Sequence, residues 1–205
     1  FITSDVGQHQ MWAAQYYPFD KPRRWINSGG LGTMGVGLPY AMGCQLAFPD
    51  SQVACVTGEA SIQMCIQELS TCKQFNLPVK IVNLNNRYMG MVRQWQDMIY
   101  DGHRACSDLS DPMMEVKRAE DMDIYPDFIT IAGGYRIAAE RVTSKNELSS
   151  AYERMLSDPD EPYLLDIIVE ADENVYPMIP AGGSYKEIIM LAEDMGGETK
   201  GKQGS

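Results

Sequence analysis

Residues 52–86 read QVACVTGEASIQMCIQELSTCKQFNLPVKIVNLNN, and their order decides the fold. Gln52 to Thr57 is a short β-branched run and Val79 to Leu84 (VKIVNL) is another; both read as buried strands. Between them Ile62, Cys65, Ile66, Leu69 and Cys72 recur at helical spacing. Strand, helix and strand in this length make a crossover unit. It predicts two parallel strands joined by a right-handed connection, with their ends close together and often neighbours. Ligands of such open sheets bind beyond the carboxyl ends of the strands. Functional side chains are therefore expected just after Thr57 and just after Leu84.

The alternation continues on both sides. Phe1 to Ser4 reads as the end of a strand, and Gln8 to Tyr17 as a helix. Gly29 to Gly35 is a glycine-rich turn that leads into an apolar helix from Val36 to Phe48, stopped by Pro49-Asp50. Downstream, Pro126 to Ala132 predicts a helix, Tyr135 to Ala139 a strand and Tyr163 to Val169 (YLLDIIV) another strand. Ser144 and Glu147 form a capping-box pattern ahead of a helix that runs to about Leu156. Lys21 to Ser28 (KPRRWINS) is polar and contains Pro22, so it does not read as a buried strand. The sum is an α/β class chain, a doubly wound parallel sheet with helices on both faces. One domain is expected over residues 1–185, followed by a tail over 186–205 whose glycine-rich end should be disordered. The abrupt opening, Phe1-Ile2-Thr3-Ser4 with no initiator Met, reads as a piece of a longer polypeptide.

Composition removes several function classes. The 205 residues carry 17 Lys and Arg against 28 Asp and Glu, a net charge of −11, which repels a phosphate backbone on average. Nucleic acid is not expected as a partner. No apolar run approaches the length that spans a bilayer, so no membrane partner is expected either. The five cysteines, Cys44, Cys55, Cys65, Cys72 and Cys106, form no CxxC pair, and only His9 and His103 could join them at a zinc site. Reduced thiols are the expectation, with the chain in the cytoplasm if bacterial or an organelle matrix if eukaryotic.

The chemistry gathers where the sheet topology points. After the first strand comes Gly58-Glu59-Ala60-Ser61, and after the second Asn85-Asn86, with Glu59 and Asn86 standing 27 positions apart. A carboxylate and a side-chain amide oxygen at neighbouring strand tips are hard donors suited to Mg²⁺ or Ca²⁺. Mg²⁺ held by few protein ligands commonly completes its shell with phosphate oxygens. The amides that open the next helix, at Gly58, Ala60 and Ser61, are placed to meet that anion. Taken singly, Glu59 could cap a helix and Asn85-Asn86 could be an ordinary turn. Gly30-x-Gly32-x-x-Gly35 also fits the dinucleotide fingerprint with Glu59 as a ribose-binding acid, which keeps an NAD-binding oxidoreductase as an alternative. That reading lacks a buried strand before the glycines and leaves Asn85-Asn86 unexplained.

With GEA…NN in place, the chain resembles the thiamine-diphosphate (ThDP) enzymes, whose motif begins Gly-Asp-Gly and ends Asn-Asn at this separation. Within them it is similar to the catalytic subunit of acetolactate synthase. The match is carried by DVGQHQMWAAQ (Asp5 to Gln15), GGLGTMGVGLP (Gly29 to Pro39), SIQMCIQEL (Ser61 to Leu69), NNRYMGMVRQWQ (Asn85 to Gln96) and PMIPAGG (Pro177 to Gly183). The resemblance implies that Glu59, Asn86 and the main-chain carbonyl of Tyr88 hold Mg²⁺. It implies that Gly7, Gln8, His9, Gly58, Ala60 and Ser61 meet the diphosphate. Met34 would sit under the bent cofactor, Gly32, Gly90 and Met91 would line it, and Trp95 would belong to the substrate channel. Met91 and Trp95, four apart, also read as one apolar helix face.

The implied activity is decarboxylation of pyruvate and condensation with a second 2-ketoacid, in branched-chain amino acid synthesis. The family also implies a homodimer or tetramer, a regulatory small subunit, and FAD bound by another domain. The glutamate that starts the proton relay belongs to the partner subunit's N-terminal domain, so no catalytic residue is assigned in this chain. A non-catalytic paralogue that serves as an assembly partner is a further alternative. Two features depart from the family pattern. Glu59 replaces Asp, which carries the carboxylate about 1.5 Å farther unless the side chain folds back, so metal binding is expected to be weakened but not abolished. The stretch from His103 to Tyr125 is longer and more charged, with Asp108, Asp111, Glu115, Glu120, Asp121 and Asp123; it is expected to be a solvated loop.

Overall fold

The computed structural model describes residues 1–110, 125–180 and 182–191. Its sheet has six strands in the order β2-β1-β3-β4-β6-β5, every pair parallel: β1 Ile2–Ser4, β2 Trp25–Ile26, β3 Ala54–Thr57, β4 Lys80–Asn85, β5 Ala138–Val142 and β6 Tyr163–Ile168. The α/β class and the parallel sheet read from the sequence are what the chain forms. The expected crossover neighbours, β3 and β4, are hydrogen-bonded partners, with Thr57 opposite Asn83.

Successive residues of the central strands point to opposite faces, as the pleat requires. Ile81 and Leu164, which are register partners, enter one core with Cys55, Val79, Phe128 and Ala132. The next pair, Val82 and Leu165, enters the other core with Val142, Ala151, Met155 and Ile167. The first core is covered by α2 (Gly37–Ala47), α3 (Glu59–Gln63), α4 (Glu68–Gln74) and α6 (Phe128–Gly134) through Leu38, Ala41, Ile62, Leu69, Cys72 and Phe128. The second is covered by α7 (Leu148–Ser157). The helices α1 (Gln8–Tyr16) and α5 (Gly90–Ile99) follow β1 and β4 and stand over the carboxyl end of the sheet.

Several expected boundaries move for local reasons. The helical run from Ile62 to Cys72 is two helices, α3 and α4, broken at the turn where Met64 abuts Gly35; a Cβ on Gly35 would lie 2.9 Å from that of Met64. The strand expected at Tyr135–Ala139 begins at Ala138, because Tyr135 and Arg136 close α6. Arg136 takes a left-handed φ of 58° and Ile137 N–H returns to Ala132 O. Ser144 accepts from Asn146 N–H and caps a 3-10 turn over Lys145–Glu147, without the reciprocal Glu147 bond that the capping-box pattern predicted. The complete box among the described residues is Ser184 with Glu187.

The polar run Lys21–Ser28 does contribute a strand, the two half-buried residues of β2 at the sheet edge, with Ile26 against the core. Met178 and Ile189 pair in an antiparallel bridge that runs past Tyr185. The acidic residues Asp111, Glu115, Glu120, Asp121 and Asp123, and the glycine-rich end after residue 191, lie outside the described residues. Among the described residues no helix is long and apolar enough to cross a membrane.

Candidate functional site

A cleft opens at the carboxyl ends of β1, β3 and β4. Its wall brings together twelve of the residues singled out in the sequence: Gly7, Gln8, His9, Met34, Gly58, Glu59, Ala60, Ser61, Asn86, Tyr88, Gly90 and Met91. Two do not reach it. Gly32 is exposed, with a left-handed φ of 61° that ends the 3-10 turn Gly29–Leu31, and Trp95 lies half-buried on α5 away from the cleft wall. The glycine fingerprint of the dinucleotide reading thus forms an exposed turn, and the helix after it starts only at Gly37.

Glu59 is the first residue of α3, directly off the tip of β3, and is 2% exposed. Burial raises its carboxyl to about 8; the N–H groups of Glu59 itself, Tyr88 and Asn86 pull it part of the way down, and the charge of Asp166 pushes it up. Its Oε1 has no hydrogen-bond partner, and neither does Nε2 of the buried His9. A buried carboxylate oxygen without a donor is costly, and a cation is the partner that would satisfy it. Among the described residues no cluster of three or more His, Cys, Asp or Glu could hold a metal. The oxygen-bearing groups that line the cleft are instead the Glu59 carboxyl, the Asn86 side-chain amide and the main chain at Tyr88. Such a set fits a hard cation that also keeps water or phosphate ligands.

The two adjacent asparagines divide their work. Asn85, last in β4, turns toward the sheet: its Nδ2 donates to Asp166 Oδ1 at 3.2 Å and its Oδ1 accepts from Arg87 N–H. Asn86 faces the cleft. Its Nδ2 donates to Gln8 Oε1 at 3.0 Å, and its Oδ1 accepts from Tyr88 N–H at 3.1 Å. Arg87, directly after Asn86, takes a left-handed φ of 63°. The turn is pinned from outside, since Met89 N–H donates to Ser107 O and Leu109 N–H to Arg87 O, both at 2.8 Å.

His9 is wedged between two glycines. A Cβ on Gly7 would lie 2.6 Å from its Cε1, and a Cβ on Gly58 2.7 Å from its Nδ1. Burial lowers its imidazole to about 4, opposed by a hydrogen bond to the Asp5 main chain, so the ring is neutral near pH 7. One ring nitrogen can then act as a donor toward the cleft. Ala60 and Ser61 present N–H groups ahead of the first bond of α3, Ile62 N–H to Gly58 O. With five residues α3 adds little dipole, so any attraction for an anion would come from the amides themselves.

Several residues of the site were given no role in the sequence, though Asp5, Trp12 and Gln94 lie within the stretches that carry the resemblance. Asp5, fully buried at the end of β1, accepts from Thr57 Oγ1 at 2.6 Å and from Gly37 N–H at 2.7 Å. It ties the tips of β1 and β3 to the start of α2. Trp12 and Leu84 line the cleft, and Gln94 stands fully buried behind it. Trp12 stands in a run of helical residues where an aromatic reads as core. Gln94 lies on α5 beside Arg93, and these two polar residues are its buried ones, so the apolar face at Met91 and Trp95 does not point to them.

Residues 5–167 match the family described as "Thiamine pyrophosphate enzyme, C-terminal TPP binding domain". The chain is 51% identical over 190 residues to the acetolactate synthase isozyme 3 large subunit of Escherichia coli (strain K12), covering 92% of this chain and 31% of that protein. It is 50% identical over 189 residues to acetolactate synthase 1, chloroplastic, of Oryza sativa subsp. japonica, covering 92% of this chain and 28% of that protein. It is 48% identical over 188 residues to acetolactate synthase 2, chloroplastic, of Nicotiana tabacum, covering 92% and 27%. The chain therefore spans less than a third of the length of these relatives.

Proposed function

The chain belongs to the thiamine pyrophosphate enzymes, as their C-terminal TPP-binding domain, and from that premise we propose that it is the Mg²⁺- and diphosphate-holding part of an acetolactate-synthase-type enzyme. The observation that carries the proposal is the pairing of Glu59 and Asn86 at adjacent strand tips in one cleft, with Glu59 Oε1 lacking a donor. Glu59, Asn86 Oδ1 and the Tyr88 carbonyl would take the cation. The Ala60 and Ser61 amides, the main-chain N–H of Gln8 and the neutral His9 would take the diphosphate. Met34 and Met91 give the cleft apolar wall, which keeps water from the ring end of a cofactor. Trp95 stands as a substrate-channel residue on the family resemblance alone.

Bound thiamine diphosphate supplies the electron sink that lets a 2-ketoacid lose carbon dioxide. The residues here bind and orient it. The group that starts the proton relay and the FAD-binding part lie, by the resemblance, in stretches of the relatives that this chain does not span. A dimer or tetramer, a regulatory small subunit, and pyruvate with a second 2-ketoacid as substrates come to the proposal from the same source. The 205 residues alone are expected to make no acetolactate. Calorimetric titration of the full chain with ThDP, with and without Mg²⁺, tests the reading. Mg²⁺-dependent binding that is lost in Glu59→Ala is expected; binding indifferent to Mg²⁺ and to Glu59 would refute it.

A further inference from the structure

Behind the cleft, three buried side-chain amides form a directed chain. Val175 N–H donates to Gln94 Oε1 at 2.9 Å, and Gln94 Nε2 donates to Val175 O at 3.1 Å. Gln8 Nε2 donates to the same Gln94 Oε1 at 2.9 Å and to Glu173 O at 3.0 Å. Asn86 Nδ2 then donates to Gln8 Oε1, and Tyr88 N–H donates to Asn86 Oδ1. Gln94 is 0% exposed, Gln8 3% and Asn86 5%.

An amide side chain has two orientations, and its neighbours choose between them. A main-chain N–H cannot accept and a main-chain carbonyl cannot donate. Val175 therefore orients Gln94, and Gln94 with the Glu173 carbonyl orients Gln8. Gln8 in turn presents an acceptor to Asn86, which must answer with its NH₂ group. The Oδ1 of Asn86 is thereby turned to the other side, toward Tyr88 N–H and the cleft.

Resting on the reading of Asn86 as a metal ligand, we propose that Gln94 is a positioning residue for the Mg²⁺ site. It carries the polarity of the Val175 main chain through Gln8 to Asn86, and so fixes which atom of that amide faces the cation. Gln94 touches neither metal nor cofactor; it acts through two other side chains. Arg93, the residue before it, supports the same segment by donating to Glu173 O at 2.6 Å and Asn174 Oδ1 at 3.0 Å. The segment 173–175, remote in sequence from every motif of the site, is the origin of the relay. Outer partners that orient metal ligands are commonly worth 10–100-fold in metal affinity.

The test is calorimetric titration of Mg²⁺ into the full chain with ThDP present, for the unsubstituted protein, Gln94→Met and Gln94→Leu. Gln45→Met, which alters a buried amide on α2 bonded to Pro49 O and Ser51 O, is the control. The half-saturating Mg²⁺ concentration should rise about tenfold or more in both Gln94 variants and stay unchanged in the control. At excess Mg²⁺ the ThDP affinity of the Gln94 variants should return to that of the unsubstituted chain, which a general distortion of the cleft would not allow. An unchanged Mg²⁺ requirement, or a defect that excess Mg²⁺ does not correct, overturns the inference while leaving the functional reading intact. Should Gln94→Met fail to fold, the same comparison is made with Gln94→Leu, which likewise removes the acceptor that Gln8 Nε2 meets. An unsubstituted chain that binds neither Mg²⁺ nor ThDP overturns the functional reading and this inference with it.

Discussion

A Cβ placed on Gly90 would lie 2.2 Å from Oε1 of Gln8, the oxygen that receives the Asn86 side-chain amide. The first residue of α5 is thus bare because the α1 side chain that orients the turn at Asn86 occupies the space. Gly90→Ala should cost about 1–3 kcal/mol by overpacking and weaken Mg²⁺-dependent ThDP binding as well. Urea denaturation and a Mg²⁺ titration on the same variant check both. A change in stability with no change in Mg²⁺ affinity would separate Gly90 from the site.

The cleft carries opposite pH liabilities. Glu59 titrates near 8 in the folded chain, above its ordinary value of 4.5. The folded state then holds a proton that the unfolded state has released, so stability of the metal-free chain falls as pH rises from about 4.5 to 8. His9 is lowered from 6.5 to about 4, so stability is lost as pH falls through that interval, where the unfolded imidazole takes a proton and the folded one does not. Glu59→Gln should flatten the alkaline limb of a urea-midpoint-against-pH curve and leave the acid limb in place.

Mg²⁺ requires the ionised carboxylate, so its binding must expel the Glu59 proton below pH 8. Affinity should rise up to about tenfold per pH unit over that range, with proton release visible in calorimetry as a dependence on buffer ionisation heat. Equal heats in two buffers of different ionisation enthalpy would show that Glu59 is already ionised.

Glu59→Asp restores the shorter carboxylate of the family motif. It should tighten Mg²⁺-dependent ThDP binding by about tenfold, since Mg²⁺ tolerates little deviation in ligand distance. Equal affinity in the two proteins would mean that the longer side chain folds back to an equivalent position.

Asp5 satisfies two buried donors at once, the Thr57 hydroxyl and the Gly37 N–H. Asp5→Asn offers only one acceptor oxygen, so one donor is left unpaired at a cost of about 1–3 kcal/mol. The urea midpoint should fall with the m-value unchanged. Retained stability would mean that water or a shifted backbone replaces the lost acceptor.

Much of the framework was legible because it is written locally. The β-branched runs at Gln52–Thr57 and Val79–Leu84 became β3 and β4, and polar residues directly after each became the cleft wall. Strand ends moved where a cap intervened, as at Arg136. In α5 the apolar face read at Met91 and Trp95 is real but only half-buried, while the fully buried residues are Arg93 and Gln94, which a hydrophobic period does not mark.

The order of residues alone therefore determined the parallel α/β plan and the place on it where a carboxylate and an amide meet, since both follow from short-range periodicity and from the handedness of one crossover. Tertiary structure decided which of Asn85 and Asn86 faces the cleft, why Gly90 and Gly58 have no side chain, and which way each buried amide points. Those outcomes depend on partners such as Gln8, Gln94 and Val175, separated by about 80 residues of chain. A hydrogen bond between such residues is set by the packed backbone that delivers them, and no local pattern encodes its direction.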